Sequence, residues 1–389
     1  MTRFQKRLFF ALATVLLVAV TLFRKGWFLG GDAGVWVYRM AAPVALLTVA
    51  YALGNLLSRR VGGMLALLLF LSEAFLFWMF RVAANERQLP HPVTEFLQNL
   101  YLLHCRDVAV HHLDRGRYDD ELFYTLRPGT FQFSNFEFST SYYVNSAGFR
   151  DDEASLHAPE VICLGDSYTM GWGVEQQEDF PSLLEKNLGR RVLNLGVASY
   201  GTARESLAFE RLRSGKTKLI VLQYCPNDAV ENRAFVKNDY HLEVSPPEVL
   251  REDMRWFRML GTYFPLKYCH AALAEMARRM CRKTDPGKTG SRISGQALAD
   301  FYDIIKKIKS RFGGKVVIFN MTPGPRLQED AALRALFDKQ PLPGVYFLPV
   351  AKLLSATDYF VLDDHLRASG HRKVAAALEA LILKYKLLD

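Results

Sequence analysis

From residue 160 onward, short apolar runs alternate with amphipathic segments, and this alternation constrains the possible folds more than any other feature. The apolar runs predict strands at residues 161–164, 191–195, 218–224, 315–320 and 344–348. The intervening segments predict helices at residues 180–188, 202–214, 295–312, 330–339 and 369–383. Apolar strands separated by helices are typical of a parallel sheet covered on both faces, so we expect a three-layer α/β/α domain.

The length of the chain, 389 residues, predicts more than one structural unit. The expected regions are a transmembrane region (1–82), a juxtamembrane helix with a small β element (83–155), and the α/β domain (156–389). The stretch 229–294 is too long for a simple connection between a strand and a helix, so it predicts a cap inserted into the α/β domain. Basic and aromatic residues alternate within this cap, which favours contact with an anionic surface or substrate, or a solvated basic helix.

Three long apolar stretches occupy the first region, at residues 8–23, 40–57 and 61–80. Each is close to the roughly 17–25 residues that a helix needs to cross a bilayer, so they predict three membrane spans. The first stretch also fits the core of a signal peptide, but no small-x-small cleavage site follows it, and we expect an uncleaved anchor. Glu73 lies in the third stretch, where a charge is a functional candidate, and we expect it to be paired between packed helices.

Positive charge is concentrated in residues 1–82, where nine Lys and Arg residues stand against two acidic ones. Because the whole chain has a formal charge of +9, the rest of it contributes little. This distribution is typical of membrane flanks, and we expect no nucleic acid partner. Basic clusters before the first span and between the second and third favour cytoplasmic loops there. The C-terminal bulk is then expected on the extracytoplasmic side, either periplasmic or extracellular.

The five cysteines form no metal-binding pattern and no CxxC motif, and we expect neither a metal nor an organic cofactor. Cys163 and Cys225 lie in or beside predicted core strands and are expected to pack there. Cys269 and Cys281 are candidates for a disulfide in an oxidising compartment, and their spacing leaves that question open.

Four short blocks in the α/β region contain the residue types of a nucleophilic active site. The blocks are residues 165–167 (GDS), 194–202 (NLGVASYGT), 227–228 (ND) and 363–371 (DDHLRASGH). A serine becomes a nucleophile when a histidine takes its proton and a carboxylate orients that histidine. Backbone N–H groups and a side-chain amide can stabilise the oxyanion that then forms. Three blocks follow predicted strands, and active groups gather at the carboxyl ends of parallel strands, so we expect one site.

These blocks resemble those of the GDSL/SGNH hydrolase superfamily. The resemblance implies a flavodoxin-like α/β/α fold in which Ser167 is the nucleophile and His365 is the base. It also implies an oxyanion hole formed by the N–H groups of Ser167 and Ser199 and the side-chain amide of Asn227. A glycine usually stands at the position of Ser199, which still offers a backbone N–H, and Gly201 is the fallback donor.

The resemblance covers roughly residues 145–389 and includes two further departures from the family pattern. The usual DxxH spacing would need an aspartate at position 362, which is Leu362 in this chain. Asp363, two residues before His365, matches the DxH spacing of relatives that acetylate polysaccharides, and Asp364 is the alternative partner. Cys225 replaces the glycine of the block usually written GxND, which we expect to change only local backbone freedom.

Several residues beside the four blocks have expected roles of their own. Asp166 and His371 are expected to be structural. The segment 145–150 is a candidate for shaping the entrance of the site. The aromatic residues that we expect either to line the pocket or to pack beside it are Tyr168, Trp172 and Tyr200.

The sequence therefore predicts a membrane-anchored serine esterase that cleaves O-acyl esters, mainly O-acetyl esters, on a carbohydrate or cell-envelope glycan. The expected partners are the acylated substrate and the lipid bilayer. One alternative is an O-acyltransferase that passes the acyl group to a glycan hydroxyl. With three spans, such an enzyme would need a separate membrane partner that supplies the acyl donor. A second alternative is a non-catalytic glycan-binding or assembly subunit.

Overall fold

The structure is a computed structural model that describes residues 2, 4–12, 32–85, 89–281, 293–324 and 326–389. Residues 4–12 are helical. The further α-helices of the described residues are α1 (Asp32–Asn55), α2 (Arg59–Asn85), α3 (His91–His104), α4 (Ser167–Met170), α5 (Phe180–Leu188), α6 (Thr202–Leu212), α7 (Ala229–Lys237), α8 (Pro247–Gly261), α9 (Lys267–Cys281), α10 (Gly295–Arg311), α11 (Leu327–Lys339) and α12 (Ala368–Lys384). The strands are β1 (Gly116–Asp119), β2 (Phe123–Leu126), β3 (Gly129–Ser134), β4 (Ser139–Val144), β5 (Val161–Leu164), β6 (Val192–Asn194), β7 (Leu219–Tyr224), β8 (Lys315–Asn320) and β9 (Val345–Phe347).

The chain divides into two compact units. The first consists of Met1–His112 and Arg251–Asp285, and the second of Leu113–Leu250 and Pro286–Asp389. The stretch 229–294, expected to be a single cap insertion, is therefore divided between the units. Helix α7 stays with the second unit, whereas most of α8 and all of α9 belong to the first. The physical reason is that α9 packs against α1, α2 and α3.

In the first unit, α1 and α2 form a helical hairpin. A Cβ atom on Gly54 would lie 2.6 Å from the Cα atom of Gly62, so the two glycines allow the helix backbones to approach closely. Among the described residues, α2 is long and apolar enough to cross a membrane, and Ala41–Asn55 within α1 is a shorter apolar helix. The first predicted span lies mostly outside the described residues.

Glu73 lies near the middle of α2, and its buried carboxylate caps the start of α9. The carboxylate accepts the backbone N–H groups of Tyr268 at 3.3 Å and Cys269 at 2.9 Å. First-turn N–H groups have no partner within their own helix, and a negative charge there is favourable. Glu73 is therefore paired with a neighbouring helix. Cys269 is a free thiol that donates to the Leu69 carbonyl, and the side chain of Cys281 lies outside the described residues.

The second unit is built on a five-stranded parallel sheet with the order β6–β5–β7–β8–β9. Numbered along the chain, this is the 2-1-3-4-5 order of flavodoxin-like folds. The predicted parallel α/β sheet is confirmed. Every residue of β5 and β7 is buried, which explains why both strands are continuous apolar runs in the sequence.

Helices cover both faces of this sheet. On one face, Val161 and Val221 belong to a core that includes Leu184 of α5 and Leu378 of α12. The other face receives the alternate residues of the strands, such as Tyr224, whose ring centroid lies 4.4 Å from that of Phe301 in α10. The three layers predicted from the sequence are therefore present.

Two antiparallel hairpins, β1–β2 and β3–β4, precede the parallel sheet in the second unit. They correspond to the small β element expected before the α/β domain. The tip of the second hairpin is an Asx turn at Asn135, whose Oδ1 accepts the N–H groups of Glu137 at 2.7 Å and Phe138 at 3.1 Å.

Candidate active site

Strand β5 ends in a sharp turn that presents Ser167. Gly165 has a φ angle of 158°, and a Cβ atom there would lie 2.1 Å from Thr169 Oγ1, so a side chain does not fit. The next residue, Asp166, caps the short helix α4, because its Oδ1 accepts the N–H of Tyr168 at 3.0 Å. Ser167 is then the first residue of α4, at the carboxyl end of the central sheet.

His365 connects Ser167 to an aspartate. Its Nε2 atom lies 2.6 Å from Ser167 Oγ. Its Nδ1 atom is hydrogen-bonded to Asp363 Oδ1, whereas Asp364 Oδ1 is 3.4 Å away. The Asp363 carboxylate can therefore accept a hydrogen bond from an Nδ1–H group, and in that tautomer Nε2 is able to accept the proton of the serine hydroxyl. The side chains of His365 and Asp363 are 5% and 0% exposed, so water screens their interaction little.

The loop that carries Asp363 and His365 is closed by main-chain contacts. Tyr359 pairs with Leu366 in an isolated antiparallel bridge, and the N–H of Phe360 donates to the His365 carbonyl at 3.0 Å. This closure brings the histidine and the aspartate two residues before it into hydrogen-bond contact. The DxH spacing is thus compatible with a Ser–His–Asp arrangement in this chain.

Two aromatic residues enclose the imidazole of His365. The ring of Trp172 is stacked on it, with centroids 4.8 Å apart, and the Tyr168 ring centroid lies 4.9 Å from it. The indole Nε1 of Trp172 donates to Asp363 Oδ2 at 3.1 Å, and the Tyr168 hydroxyl donates to the Asp364 carbonyl at 2.9 Å. Both side chains are buried, so they limit the movement of His365, and Trp172 also limits that of Asp363.

The expected oxyanion donors differ in their availability. Ser199 is exposed and has a φ of 67°, the left-handed conformation for which glycine is usual. Its N–H has no hydrogen-bond partner among the described residues. Asn227 is also exposed, and both residues line one cavity of about 650 Å³. The fallback donor Gly201 is not available, because its N–H donates to Glu231 Oε1 at 3.1 Å.

Other candidates from the sequence have structural contacts. Tyr200 is buried and its hydroxyl donates to the Tyr124 carbonyl, although Tyr200 also lines that cavity. The buried His371 accepts the N–H of Phe180 at 3.2 Å, and burial lowers the pKa of its imidazole to about 3. Asn194 in the second block donates through Nδ2 to the Thr169 carbonyl at 3.0 Å. This contact joins the turn of the second block to α4.

The role expected for the segment 145–150 at the entrance stays a prediction, and its last residue, Arg150, lies inside the protein. Its side chain is fully buried. The guanidinium donates to the carbonyls of Met170 at 3.0 Å and Val174 at 2.7 Å. Arg150 therefore fixes the chain that follows the nucleophile turn and is not available to substrate.

Buried carboxyl groups lie behind the nucleophile turn and the Asn227 turn. Burial raises the pKa values of Asp166, Asp228 and Glu205, and the negative charges of the other acids raise that of Glu205 further. Asp228 accepts the Thr202 hydroxyl at 2.8 Å, which ties the third block to the second. The carboxyl of Glu205 is fully buried and has no hydrogen-bond partner among the described residues. These groups therefore favour their protonated forms.

Asp363, Asp364 and His365 also place three potential metal-ligand atoms within 4.8 Å of one another. Both ring nitrogens of His365 already contact Ser167 and Asp363. The geometry of Ser167, His365 and Asp363 is therefore that of a proton-transfer chain, and these three residues are assigned to the triad.

Asn135 and Glu137, which contact the loop that carries Asp363, were not predicted from the sequence. Asn135 and Asp363 are 228 positions apart in the chain, and their side chains are hydrogen-bonded. No motif or spacing marks either residue, because the contact depends on how the β3–β4 hairpin folds onto the α/β domain.

No family model and no curated protein matches the chain. Several solved structures are similar to it. A carbohydrate esterase whose active site has divergent catalytic and non-catalytic binding functions is 13% identical, with a TM-score of 0.36, covering 59% of this chain and 66% of that one. A lipolytic protein of the G-D-S-L family from Veillonella parvula DSM 2008 is 12% identical, with a TM-score of 0.35, and the match covers 58% of this chain and 98% of that one. An acetyl xylan esterase from the rumen bacterium Butyrivibrio proteoclasticus is 10% identical, with a TM-score of 0.35, and the match covers 60% of this chain and 65% of that one.

The five-stranded sheet has the flavodoxin-like order that the resemblance implied. The serine and histidine of the quoted motifs meet at the carboxyl end of β5. The resemblance to the GDSL/SGNH hydrolases thus extends from the motifs to the fold.

Proposed function

We propose that this protein is a membrane-anchored serine esterase that cleaves O-acyl esters, mainly O-acetyl esters, on a carbohydrate or cell-envelope glycan. One observation carries the proposal: Ser167 Oγ lies 2.6 Å from His365 Nε2, and the opposite ring nitrogen is bonded to Asp363. A nucleophile, a base and an orienting carboxylate in hydrogen-bond contact define this class of chemistry.

The reaction proceeds in two steps. His365 takes the hydroxyl proton as Ser167 attacks the ester carbonyl, and Asp363 stabilises the imidazolium that forms. The N–H groups of Ser167 and Ser199 and the amide of Asn227 stabilise the oxyanion. His365 then protonates the departing alcohol, which leaves the acyl group on Ser167. In the second step His365 deprotonates a water molecule, which releases the acid and restores the serine.

The cavity that Ser199 and Asn227 line is a candidate site for the part of the substrate that extends beyond the oxyanion hole. Its volume of about 650 Å³ lies within the range of small-molecule sites. Its lining combines charged and amide side chains with apolar ones such as Val230, Phe235 and Leu242, and a sugar ring with its hydroxyl groups presents both kinds of surface. The polar side chains of that lining include Arg204, Asp228, Glu231, Asn238, His241 and Glu243.

Acetate release from an O-acetylated oligosaccharide tests this proposal. The purified wild type is expected to release acetate, and Ser167→Ala is expected to release none above the rate in buffer. Ser310→Ala is a matched control, because this serine is exposed and its hydroxyl donates to the Lys307 carbonyl of its own helix. Equal release by the wild type and Ser167→Ala would exclude the proposed enzyme.

The DxH spacing of Asp363 and His365 favours O-acyl transfer as a second candidate function. In that case a glycan hydroxyl replaces water in the second step, and a separate membrane partner supplies the acyl donor. Labelled acetyl ester incubated with increasing saccharide acceptor separates the two outcomes. Transfer requires acetylated saccharide to increase at the expense of free acetate, and unchanged acetate release supports hydrolysis.

The proposal places the α/β domain outside the cytoplasm, attached through the N-terminal helices. Support comes from α2, which is long and apolar enough to cross a membrane, and from the basic residues that precede it. Reporter fusions after Asp389 test the orientation. A reporter that is active only in the cytoplasm would overturn it.

A further inference from the structure

The tip of the β3–β4 hairpin, residues 135–138, contacts the loop that carries the catalytic aspartate. We propose that Glu137, together with Asn135, is a positioning residue for the reaction, because it fixes the backbone and side chain of Asp363. The inference rests on the proposed function, since it requires that Asp363 orient His365 during ester cleavage.

The carboxylate of Glu137 accepts three consecutive backbone N–H groups of the catalytic loop. Oε1 accepts from Val361 at 2.6 Å, and Oε2 accepts from Leu362 at 3.0 Å and from Asp363 at 2.7 Å. The nearest nitrogen of Arg367 lies 3.6 Å from Oε1. The Glu137 side chain is only 1% exposed, so these donors replace water around the carboxylate.

Asn135 fixes the other end of the same aspartate. Its Nδ2 donates to Asp363 Oδ2 at 3.3 Å, and the Trp172 indole donates to this oxygen at 3.1 Å. The remaining oxygen, Oδ1, is hydrogen-bonded to His365 Nδ1. Each carboxylate oxygen of the catalytic aspartate therefore has its own hydrogen-bond donors, which define the orientation of the side chain. The backbone contacts of Glu137 set the position of that carboxylate, and the Asn135 contact sets its rotation.

Residues 361–364 need this support because they lie in no helix or strand. The main-chain bridge that closes the loop lies outside them, between Tyr359 and Leu366. Glu137 supplies the acceptors that a neighbouring strand would otherwise provide. Small errors in the position of a catalytic group cost about 100-fold in rate when they reach 1 Å, so this support acts on catalysis.

Glu137 also gives the support a pH dependence. The pKa of its carboxyl is raised to about 7, chiefly by burial and also by the Asp363 carboxylate, while the backbone N–H groups and Arg367 oppose the shift. The ionised form accepts all three N–H groups, whereas a proton on the carboxyl competes with at least one of them. Near neutral pH, the position of Asp363 is therefore coupled to the ionisation of Glu137.

The test compares Glu137→Gln and Asn135→Ala with Glu175→Gln in the full-length protein, using p-nitrophenyl acetate as the probe. Glu175 is the matched control, because its carboxylate accepts a backbone N–H of the same hairpin, that of Ser141, at 3.2 Å, away from the catalytic loop. We expect Glu137→Gln to lower kcat about 10-fold or more with KM unchanged, because its amide cannot accept all three N–H groups. Its kcat should also fall less steeply than that of the wild type below pH 7.

Two results would overturn the positioning role. One is a folded Glu137→Gln variant with the kcat and the pH profile of the wild type. The other is loss of folding in both Glu137→Gln and Asn135→Ala, which would assign the hairpin tip to stability. Failure of the proposed function is distinct from both, because it shows as an inactive wild type.

Discussion

The indole of Trp172 lies nearly parallel to the imidazole of His365, with 20° between the ring planes and 4.8 Å between the centroids. The same indole donates its N–H to Asp363 Oδ2 at 3.1 Å. One side chain therefore fixes both the base and its orienting carboxylate. It covers the face of the histidine and also limits the rotation of the aspartate.

Replacing this tryptophan separates the two contacts. Trp172→Phe keeps an aromatic face against His365 but removes the donor to Asp363, so we expect kcat to fall about 10-fold through the loss of one hydrogen bond to a charged group. The measurement is p-nitrophenyl acetate hydrolysis, with Trp78→Phe as the control because that exposed indole lies in the other unit. Wild-type kcat in a folded Trp172→Phe variant would show that the indole donor has no catalytic effect.

The two adjacent aspartates predict unequal effects on rate. Asp363→Asn is expected to lower kcat by roughly 10³- to 10⁴-fold, because an amide cannot hold the required tautomer of His365. Asp364→Asn is expected to stay within a few-fold of the wild type, since its carboxylate is 3.4 Å from the ring nitrogen and its main-chain carbonyl still accepts the Tyr168 hydroxyl. Steady-state kinetics of both variants check this, and the reverse order of losses would assign the orienting role to Asp364.

The oxyanion assignment predicts a contrast between Asn227 and Ser199. Asn227→Ala removes a side-chain donor, so we expect a loss of about 10²- to 10³-fold in kcat. Ser199→Gly keeps the backbone N–H and suits the left-handed conformation, so we expect activity close to that of the wild type. Stopped-flow or steady-state ester hydrolysis measures both, and an Asn227→Ala variant with full activity would remove the amide from the oxyanion hole.

The buried Glu205 predicts how stability changes with pH. Its folded-state pKa is raised by burial, and the neighbouring acidic groups Asp228, Asp166 and Glu231 further disfavour a second negative charge among them. The proton that it retains stabilises the fold fully below the unfolded-state pKa of about 4.3, and this contribution is lost as the pH rises towards the folded-state value. While the folded state holds that proton, the loss is about 1.4 kcal/mol per pH unit.

Glu205→Gln cannot titrate, so the variant should lack that part of the decline in the free energy of unfolding. Urea denaturation at pH 5, 7 and 9 measures it, with the exposed Glu243→Gln as control. Parallel pH dependences for the wild type and Glu205→Gln would contradict a protonated Glu205.

The sheet could be predicted from the sequence because its strands are buried on both faces. All five strand positions were predicted to within one residue at each end. Helix α5 begins and ends where predicted because Asp179 caps its first turn and the left-handed Gly189 ends it. Local sequence determines these features, so they can be recognised without knowing the fold.

The rest of the site depends on contacts between distant parts of the chain. The Glu137 contacts join residues that are more than 220 positions apart, and the Trp172 contact with Asp363 joins residues that are 191 positions apart. Gly201 fails as a donor because the Glu231 side chain on α7 takes its N–H. Helix α9 belongs to the first unit because it packs against α1, α2 and α3. None of these contacts has a periodicity or spacing that marks it in the sequence.

Whether Ser167 is an activated nucleophile is tested most directly by fluorophosphonate labelling of the purified full-length chain, followed by identification of the modified residue by mass spectrometry. We expect labelling at Ser167 in the wild type and in Ser310→Ala, no labelling of Ser167→Ala, and strongly slowed labelling of His365→Ala. A folded wild type that is not labelled, or equal labelling of Ser167→Ala, would contradict the claim that Ser167 is an activated nucleophile.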